Sequence, residues 1–295
     1  MIEFDTIDHI SQAVPAVEPQ IEFLTRVLGL RRTESQFGGA DHGFRAYTLA
    51  IPGSSNLGWE VMEPDGDDSY LHRFLASANG PGLHHIAARV PSVEATREAL
   101  RAHGYEPWGV DGISTYLHPR NGGHGFLYQF FEGEGWYDAE PFEDDGEHTL
   151  GIIAVNHIAH AYPDRDELGD WYEHLLGFET FWRRGDNDDP QAEFTTRVLD
   201  APTGQMRVEV IAPTKPDSFV QRFLDERGPS VHHLTVEVGD WDRAVAALAH
   251  HGVRTFGERS GETNGVPWRE AFIHPKATGG VLLQFFWQAE PGVWI

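Results

Sequence analysis

The stretch Gly80-Pro81-Gly82-Leu83-His84-His85-Ile86-Ala87-Ala88-Arg89-Val90 returns later in the chain as Gly228-Pro229-Ser230-Val231-His232-His233-Leu234-Thr235-Val236-Glu237-Val238. Each copy opens on a turn-forming Gly-Pro pair and then reads as a β-strand, in which successive side chains point to opposite faces. One face carries His84, Ile86, Ala88 and Val90, and in the second copy His232, Leu234, Val236 and Val238. It is mostly apolar and suited to pack on helices. The other carries His85, Ala87 and Arg89, then His233, Thr235 and Glu237, and is suited to line a wet cavity. His85 and His233 are therefore placed for chemistry, and His84 and His232 are structural.

The recurrence extends outward in both directions. His157, Gly177 and His233 lie 148 residues after His9, Gly29 and His85, and Glu209 lies 149 after Glu60. His274-Pro275 follows His118-Pro119 by 156 residues and Gln284 follows Gln129 by 155. A nearly constant offset that slips only in loops marks an internal duplication.

Within the first copy, Ile7 to Ile10 reads as a strand, and apolar residues at helical spacing predict a helix over Val17 to Leu28, closed by Gly29. Strands follow at Phe44 to Ile51 and Leu57 to Met62, then a short helix near Tyr70 to Ala78 and the His84-His85 strand. A helix over Val93 to His103 precedes strands at Pro107 to Val110, Ser114 to Leu117 and Phe126 to Phe131. The half is thus two β-α-β-β-β units, and the chain holds four. The expected division is a first domain over 1–137, an acidic linker over 138–150 and a second domain over 151–295. The linker carries Asp138, Glu140, Glu143, Asp144, Asp145 and Glu147 without periodicity.

The net charge of −24 argues against nucleic-acid binding, because phosphates would be repelled. Only Lys215 and Lys276 are lysines, and so acidic a surface resembles proteins of salt-loving organisms. No cysteine is present, which removes disulfides, thiolate metal sites and thiol catalysis together. No apolar run approaches the roughly 18 residues of a membrane span, and Met1 to Asp5 lacks the features of a secretory signal. A cytoplasmic protein is expected, acting on a small molecule, with a homodimer as one assembly to consider.

Four polar residues recur at matched strand positions: His9, Glu60, His85 and Gln129, then His157, Glu209, His233 and Gln284. Gln129 stands alone among Phe126-Leu127-Tyr128-Gln129-Phe130-Phe131, and Gln284 among Val281-Leu282-Leu283-Gln284-Phe285-Phe286. Glu60 and Glu209 likewise interrupt apolar strands. A carboxylate or amide in such a place is costly unless it is paired or bound to a metal. Two imidazoles, a carboxylate and an amide oxygen suit an octahedral divalent ion with two open positions, and Fe(II), Mn(II), Co(II), Ni(II) or Zn(II) would serve.

These residues, with Asp8-His9-Ile10, Val27-Leu28-Gly29-Leu30, Gly82-Leu83-His84-His85-Ile86-Ala87 and His274-Pro275-Lys276 before Gly279-Gly280-Val281-Leu282, resemble the vicinal oxygen chelate superfamily. Within it they are most similar to methylmalonyl-CoA epimerase and glyoxalase I. The resemblance implies an α+β fold in which modules pair into cupped, half-open barrels, with a metal held by first and last strands. Pairing of modules one with two and three with four, or one with four and two with three, both satisfy it. The sequence departs from these relatives in the last strand, where glutamine stands in place of the glutamate expected to move the proton. Glu60 and Glu209 remain as the ligand carboxylates and catalytic candidates, Glu34 is a weak second base, and Gln284→Glu is expected to be tolerated.

Three functions are consistent with this pattern. The first is a metal-dependent lyase or isomerase of glyoxalase or epimerase type, moving a proton α to a carbonyl of an oxygen-chelating substrate. The second is an extradiol, ring-cleaving dioxygenase using Fe(II), favoured by aromatics such as Phe181, Trp182, Trp268 and Phe272. The third is a non-catalytic, resistance-type protein that binds a small molecule.

Overall fold

A computed structural model of the chain describes residues 1–135, 137, 140–184 and 193–291. The first module comprises β1 (Thr6–Ala13), α1 (Val17–Arg26), β2 (Arg31–Gly39), β3 (Phe44–Ala50), β4 (Gly58–Pro64) and α2 (Leu71–Leu75). The second follows as β5 (Gly82–Arg89), α3 (Val93–Ala102), β6 (Trp108–Val110), β7 (Ser114–Leu117) and β8 (Leu127–Phe131). The third is β9 (Ile152–Ala161), α4 (Arg165–Leu176), β10 (Glu179–Arg183), β11 (Phe194–Asp200), β12 (Arg207–Pro213) and α5 (Phe219–Arg227). The fourth is β13 (Ser230–Val238), α6 (Trp241–His250), β14 (Thr255–Thr263), β15 (Val266–Ile273) and β16 (Leu283–Gln288).

The strands form two curled eight-stranded sheets of identical plan, β2-β3-β4-β1-β5-β8-β7-β6 and β10-β11-β12-β9-β13-β16-β15-β14. In each, the first and last strands of a module lie side by side and parallel, while the other pairs within a module are antiparallel. The fold is α+β in two tandem halves, as expected from the sequence. Helix starts follow local chemistry: the side chains of Ser92, Asp164, Ser218 and Asp240 each accept a backbone N–H from the first turn of α3, α4, α5 and α6.

One strand escaped the sequence reading. β2, with the sequence RRTESQFGG, is an edge strand whose residues alternate only between exposed and half-buried. Periodicity detects burial, and a solvated edge has little to detect. Pro64, which interrupts the apolar run, is the last residue of β4.

The chain also divides into two compact units, one of residues 1–8, 85–135 and 157–232, the other of 9–84, 136–156 and 233 onward. The first therefore holds the second and third modules, and the second holds the first and fourth. In the first unit, Gly125 (φ 93°) lies so close to Pro229 that a Cβ would stand 1.6 Å from its carbonyl oxygen. His160 is fully buried there. Its Nε2 meets the His124 carbonyl at 2.8 Å, and its Nδ1 meets the Tyr172 hydroxyl at 3.0 Å. Because a carbonyl only accepts, Nε2 carries the proton and Nδ1 of the neutral ring accepts from Tyr172. Tyr172 in turn accepts from Tyr128 at 2.6 Å. Burial pushes the His160 imidazole down to about 4.

The second unit solves the same problem with an amide. Gln12, 148 residues before His160, donates through Nε2 to the carbonyls of Thr278 and Gly279 at 2.8 and 3.0 Å. Its Oε1 accepts from the Trp59 indole at 3.1 Å and from Gln20 at 3.0 Å. Gly280 (φ 98°) repeats the close approach, with the Pro81 carbonyl oxygen 1.9 Å from where a Cβ would stand.

The acidic stretch is more than a solvated connection. Within this unit the Asp144 carboxylate accepts from Gly146 N, Thr149 Oγ1 and Gly151 N at 2.8–3.1 Å. Arg243 of α6 donates to the carbonyls of Asp144 and Gly146 at 3.0 and 2.9 Å. Asp138, counted in that stretch, lies outside the described residues.

Candidate metal centres

Each sheet contributes one candidate ligand from each of its four central strands: His9 on β1, Glu60 on β4, His85 on β5 and Gln129 on β8, then His157, Glu209, His233 and Gln284 on β9, β12, β13 and β16. Strand register puts them on a common face. Glu60 pairs with Ser11, two residues from His9; Gln129 pairs with Ala87, two from His85; Gln284 pairs with Thr235, two from His233.

The ligand atoms of His9, Glu60 and His85 all lie within 4.8 Å of one another, as do those of His157, Glu209 and His233. Of the two pairing schemes open in the sequence, this is the one joining consecutive modules. All six side chains are buried. Ligands about 2.1 Å from one ion stand roughly 3–4 Å apart, so the residues fit a shared divalent cation. The spacings of 3.8 Å for His9 Nε2 to Glu60 Oε2 and 3.5 Å for His157 Nε2 to Glu209 Oε2 are longer than strong hydrogen bonds.

The supports of the two carboxylates differ. Ser11 Oγ donates to Oε2 of Glu60 at 2.5 Å, the oxygen that faces His9. Thr196 Oγ1 donates to Oε1 of Glu209 at 2.9 Å, while Oε2 is the oxygen 3.5 Å from His157 Nε2. Burial alone would raise the Glu209 carboxyl, but His157, the Thr196 hydroxyl and the charge of His232 carry it below the ordinary range.

The glutamines also differ. Gln129 donates through Nε2 to the Tyr116 hydroxyl at 3.1 Å. Gln284 Oε1 accepts from Thr235 Oγ1 at 2.6 Å, and its Nε2 donates to Glu270 Oε2 at 2.9 Å. Glu270 in turn accepts from Arg259 Nε at 2.6 Å. Glu270 was missed in the sequence, although alternation places it on the same face as its neighbours Trp268 and Phe272. Gln284→Glu would set two carboxylates against each other at this contact.

His84 packs edge-on against Phe74 of α2 and His232 against Phe223 of α5, both with ring centroids 4.8 Å apart. Burial pushes both imidazoles down to about 4. His118 and His274 are turn caps, accepting the backbone N–H of Arg120 and Lys276 at 3.0 and 3.1 Å. Glu34 is exposed on β2. Phe181 is 42% exposed under the guanidinium of Arg207, a surface stack in place of the expected cup aromatic. Phe272 does face the centre, edge-on to His233 at 5.6 Å.

Comparison with known proteins follows the same outline. The sequence matches the Glyoxalase/Bleomycin resistance protein/Dioxygenase superfamily over residues 8–128 and 156–272. It is 29% identical over 148 residues to human mitochondrial methylmalonyl-CoA epimerase, a match covering 50% of this chain and 80% of the relative. It is 31% identical over 139 residues to ethylmalonyl-CoA/methylmalonyl-CoA epimerase of Cereibacter sphaeroides, covering 45% and 96%. A longer match, 23% identical over 282 residues, is to 4-hydroxyphenylpyruvate dioxygenase of Yarrowia lipolytica, covering 83% and 69%. The structure of a 4-hydroxymandelate synthase mutant from Streptomyces coelicolor shares the fold, with a TM-score of 0.73, 15% identity and coverage of 98% and 94%. With both halves matched and both sheets built to one plan, the chain belongs to the glyoxalase, bleomycin resistance protein and dioxygenase superfamily, the vicinal oxygen chelate proteins.

Proposed function

We propose that the protein is a metal-dependent enzyme of glyoxalase or epimerase type, and that it moves a proton α to a carbonyl of a small, oxygen-chelating substrate in its second cup. The supporting observation is the posture of Glu209: one carboxylate oxygen faces His157 while Thr196 holds the other. His157, Glu209, His233 and Gln284 would hold the ion there, as His9, Glu60, His85 and Gln129 would in the first cup. A bound Fe, Mn, Co, Ni or Zn ion would supply Lewis acidity toward the substrate's vicinal oxygens. Glu209 takes the proton at Oε1, and the Thr196 hydroxyl steadies that oxygen. Gln284 has no proton to exchange near neutral pH, so the task falls to the carboxylate. The epimerases that match 45–50% of the chain are consistent with this chemistry.

Glu209→Gln keeps an oxygen ligand and removes the base. Metal content should largely persist while turnover falls by about 10²–10⁴-fold, the usual worth of general base catalysis. Full turnover in this variant would remove Glu209 from the mechanism.

A second reading, an Fe(II) dioxygenase, draws on the two-histidine, one-carboxylate composition of each centre and on the longer dioxygenase match. Oxygen uptake with a panel of catechols and aromatic 2-oxo acids separates the two. In a dioxygenase, lost iron should track lost activity in Glu209→Gln.

A further inference from the structure

We infer that Glu270 is a positioning residue that fixes the polarity of the Gln284 amide, and thereby makes the second cup the tighter metal site of the two. The inference rests on the reading that Gln284 belongs to the metal centre.

An amide side chain has two nearly isosteric ends, one accepting and one donating. A carboxylate gripped by a guanidinium on one oxygen presents the other as an acceptor, so an amide facing it presents its NH₂ group. Glu270 is such a carboxylate. It is 9% exposed, and Arg259 holds its Oε1 through Nε at 2.6 Å and Nη2 at 2.5 Å. Its Oε2 receives Gln284 Nε2 at 2.9 Å. The Gln284 carbonyl oxygen is thereby turned to the Thr235 side, where the hydroxyl donates to it at 2.6 Å. The amide is gripped at both ends, so its accepting and donating ends are assigned.

Among the described residues, the first cup shows no such clamp. The partner of Gln129 is the hydroxyl of Tyr116, which can donate or accept with equal ease and imposes no polarity. The position of Glu270 in the strand ladder, opposite Phe286, is occupied in the first half by Ser114, opposite Phe131. In the first cup, too, the Glu60 oxygen facing His9 already carries the Ser11 hydroxyl. A ligand whose orientation is fixed before binding loses less freedom when the ion arrives, and outer partners of this kind are typically worth about 10–100-fold in metal affinity.

The test is Co(II) binding to the full chain after chelator treatment, read by calorimetry and by the visible absorption of the bound ion. His233→Ala first identifies the binding step that belongs to the second cup, which in the unaltered chain should be the tighter step. Glu270→Gln should then weaken that step about 10–100-fold and leave the first cup's step unchanged. In a Gln284→Glu background the weakening should disappear. There the facing group is a carboxylate with an oxygen at either end, so Glu270 has no polarity left to fix. A residue needed only for folding would act alike in both backgrounds, and thermal unfolding of each metal-free variant verifies the fold. Equal effects of Glu270→Gln in both backgrounds, or none in either, would overturn the clamp. If His233→Ala leaves Co(II) binding whole, the metal reading itself falls. If it abolishes the step while Glu270→Gln binds as tightly as the unaltered chain, the clamp alone falls.

Discussion

Ser11 places its hydroxyl 2.5 Å from the oxygen of Glu60 that faces His9, so a buried carboxylate is satisfied inside the protein before any cation reaches it. Glu60 is 2% exposed and has no water to fall back on. Ser11→Ala should therefore lower the stability of the chelator-treated protein by about 1–3 kcal/mol, the cost of depriving a buried group of its partner. Saturating divalent metal should narrow the gap, because a bound cation satisfies the same oxygen. Urea unfolding with chelator and with metal measures both, and an unchanged midpoint in chelator would contradict this account of Glu60.

Acid should weaken the unit that contains His160. Burial holds its folded value at about 4, against 6.5 for an exposed imidazole. Between those values the unfolded chain binds a proton that the folded chain refuses, so this contribution is whole above pH 6.5 and is lost as pH falls toward 4. At about 1.4 kcal/mol per unit, roughly 3 kcal/mol is at stake. His160→Gln imports the solution used at Gln12 and should flatten the fall of Tm over this range. An equally steep fall in the variant would show that other groups carry it.

The two close approaches predict matched defects. A methyl group on Gly125 or Gly280 meets a proline carbonyl, and both residues hold a positive φ that side chains disfavour. Gly125→Ala and Gly280→Ala should each cost more than about 2 kcal/mol in chemical denaturation. Gly104, positive in φ with nothing near its Cβ, is the control and should lose less than either.

The charge of −24 should make stability depend on salt. Self-repulsion acts over a Debye length of about 30 Å at 0.01 M and is screened to about 3 Å at 1 M. Tm should climb across that range. A flat Tm would argue against an acidic surface adapted to salt.

The sequence by itself determined the duplication, the four modules and the matched strand positions of the eight polar residues. Those features are written in local periodicity and in an offset of about 148 residues, and both survive without knowledge of distant contacts. It also distinguished His85 and His233 from His84 and His232, because alternation along one strand is a local rule. Only the tertiary structure decided that His9 and Glu60 meet His85, since the choice between module pairings turns on which strands lie side by side in the sheet. β2 appeared only there because an edge strand buries too little to leave a pattern. Glu270 could be assigned a face from its neighbours, but its meeting with Gln284 depends on the register of β15 against β16. Register is set by packing across the whole sheet, and a single strand carries no record of its partner's alignment.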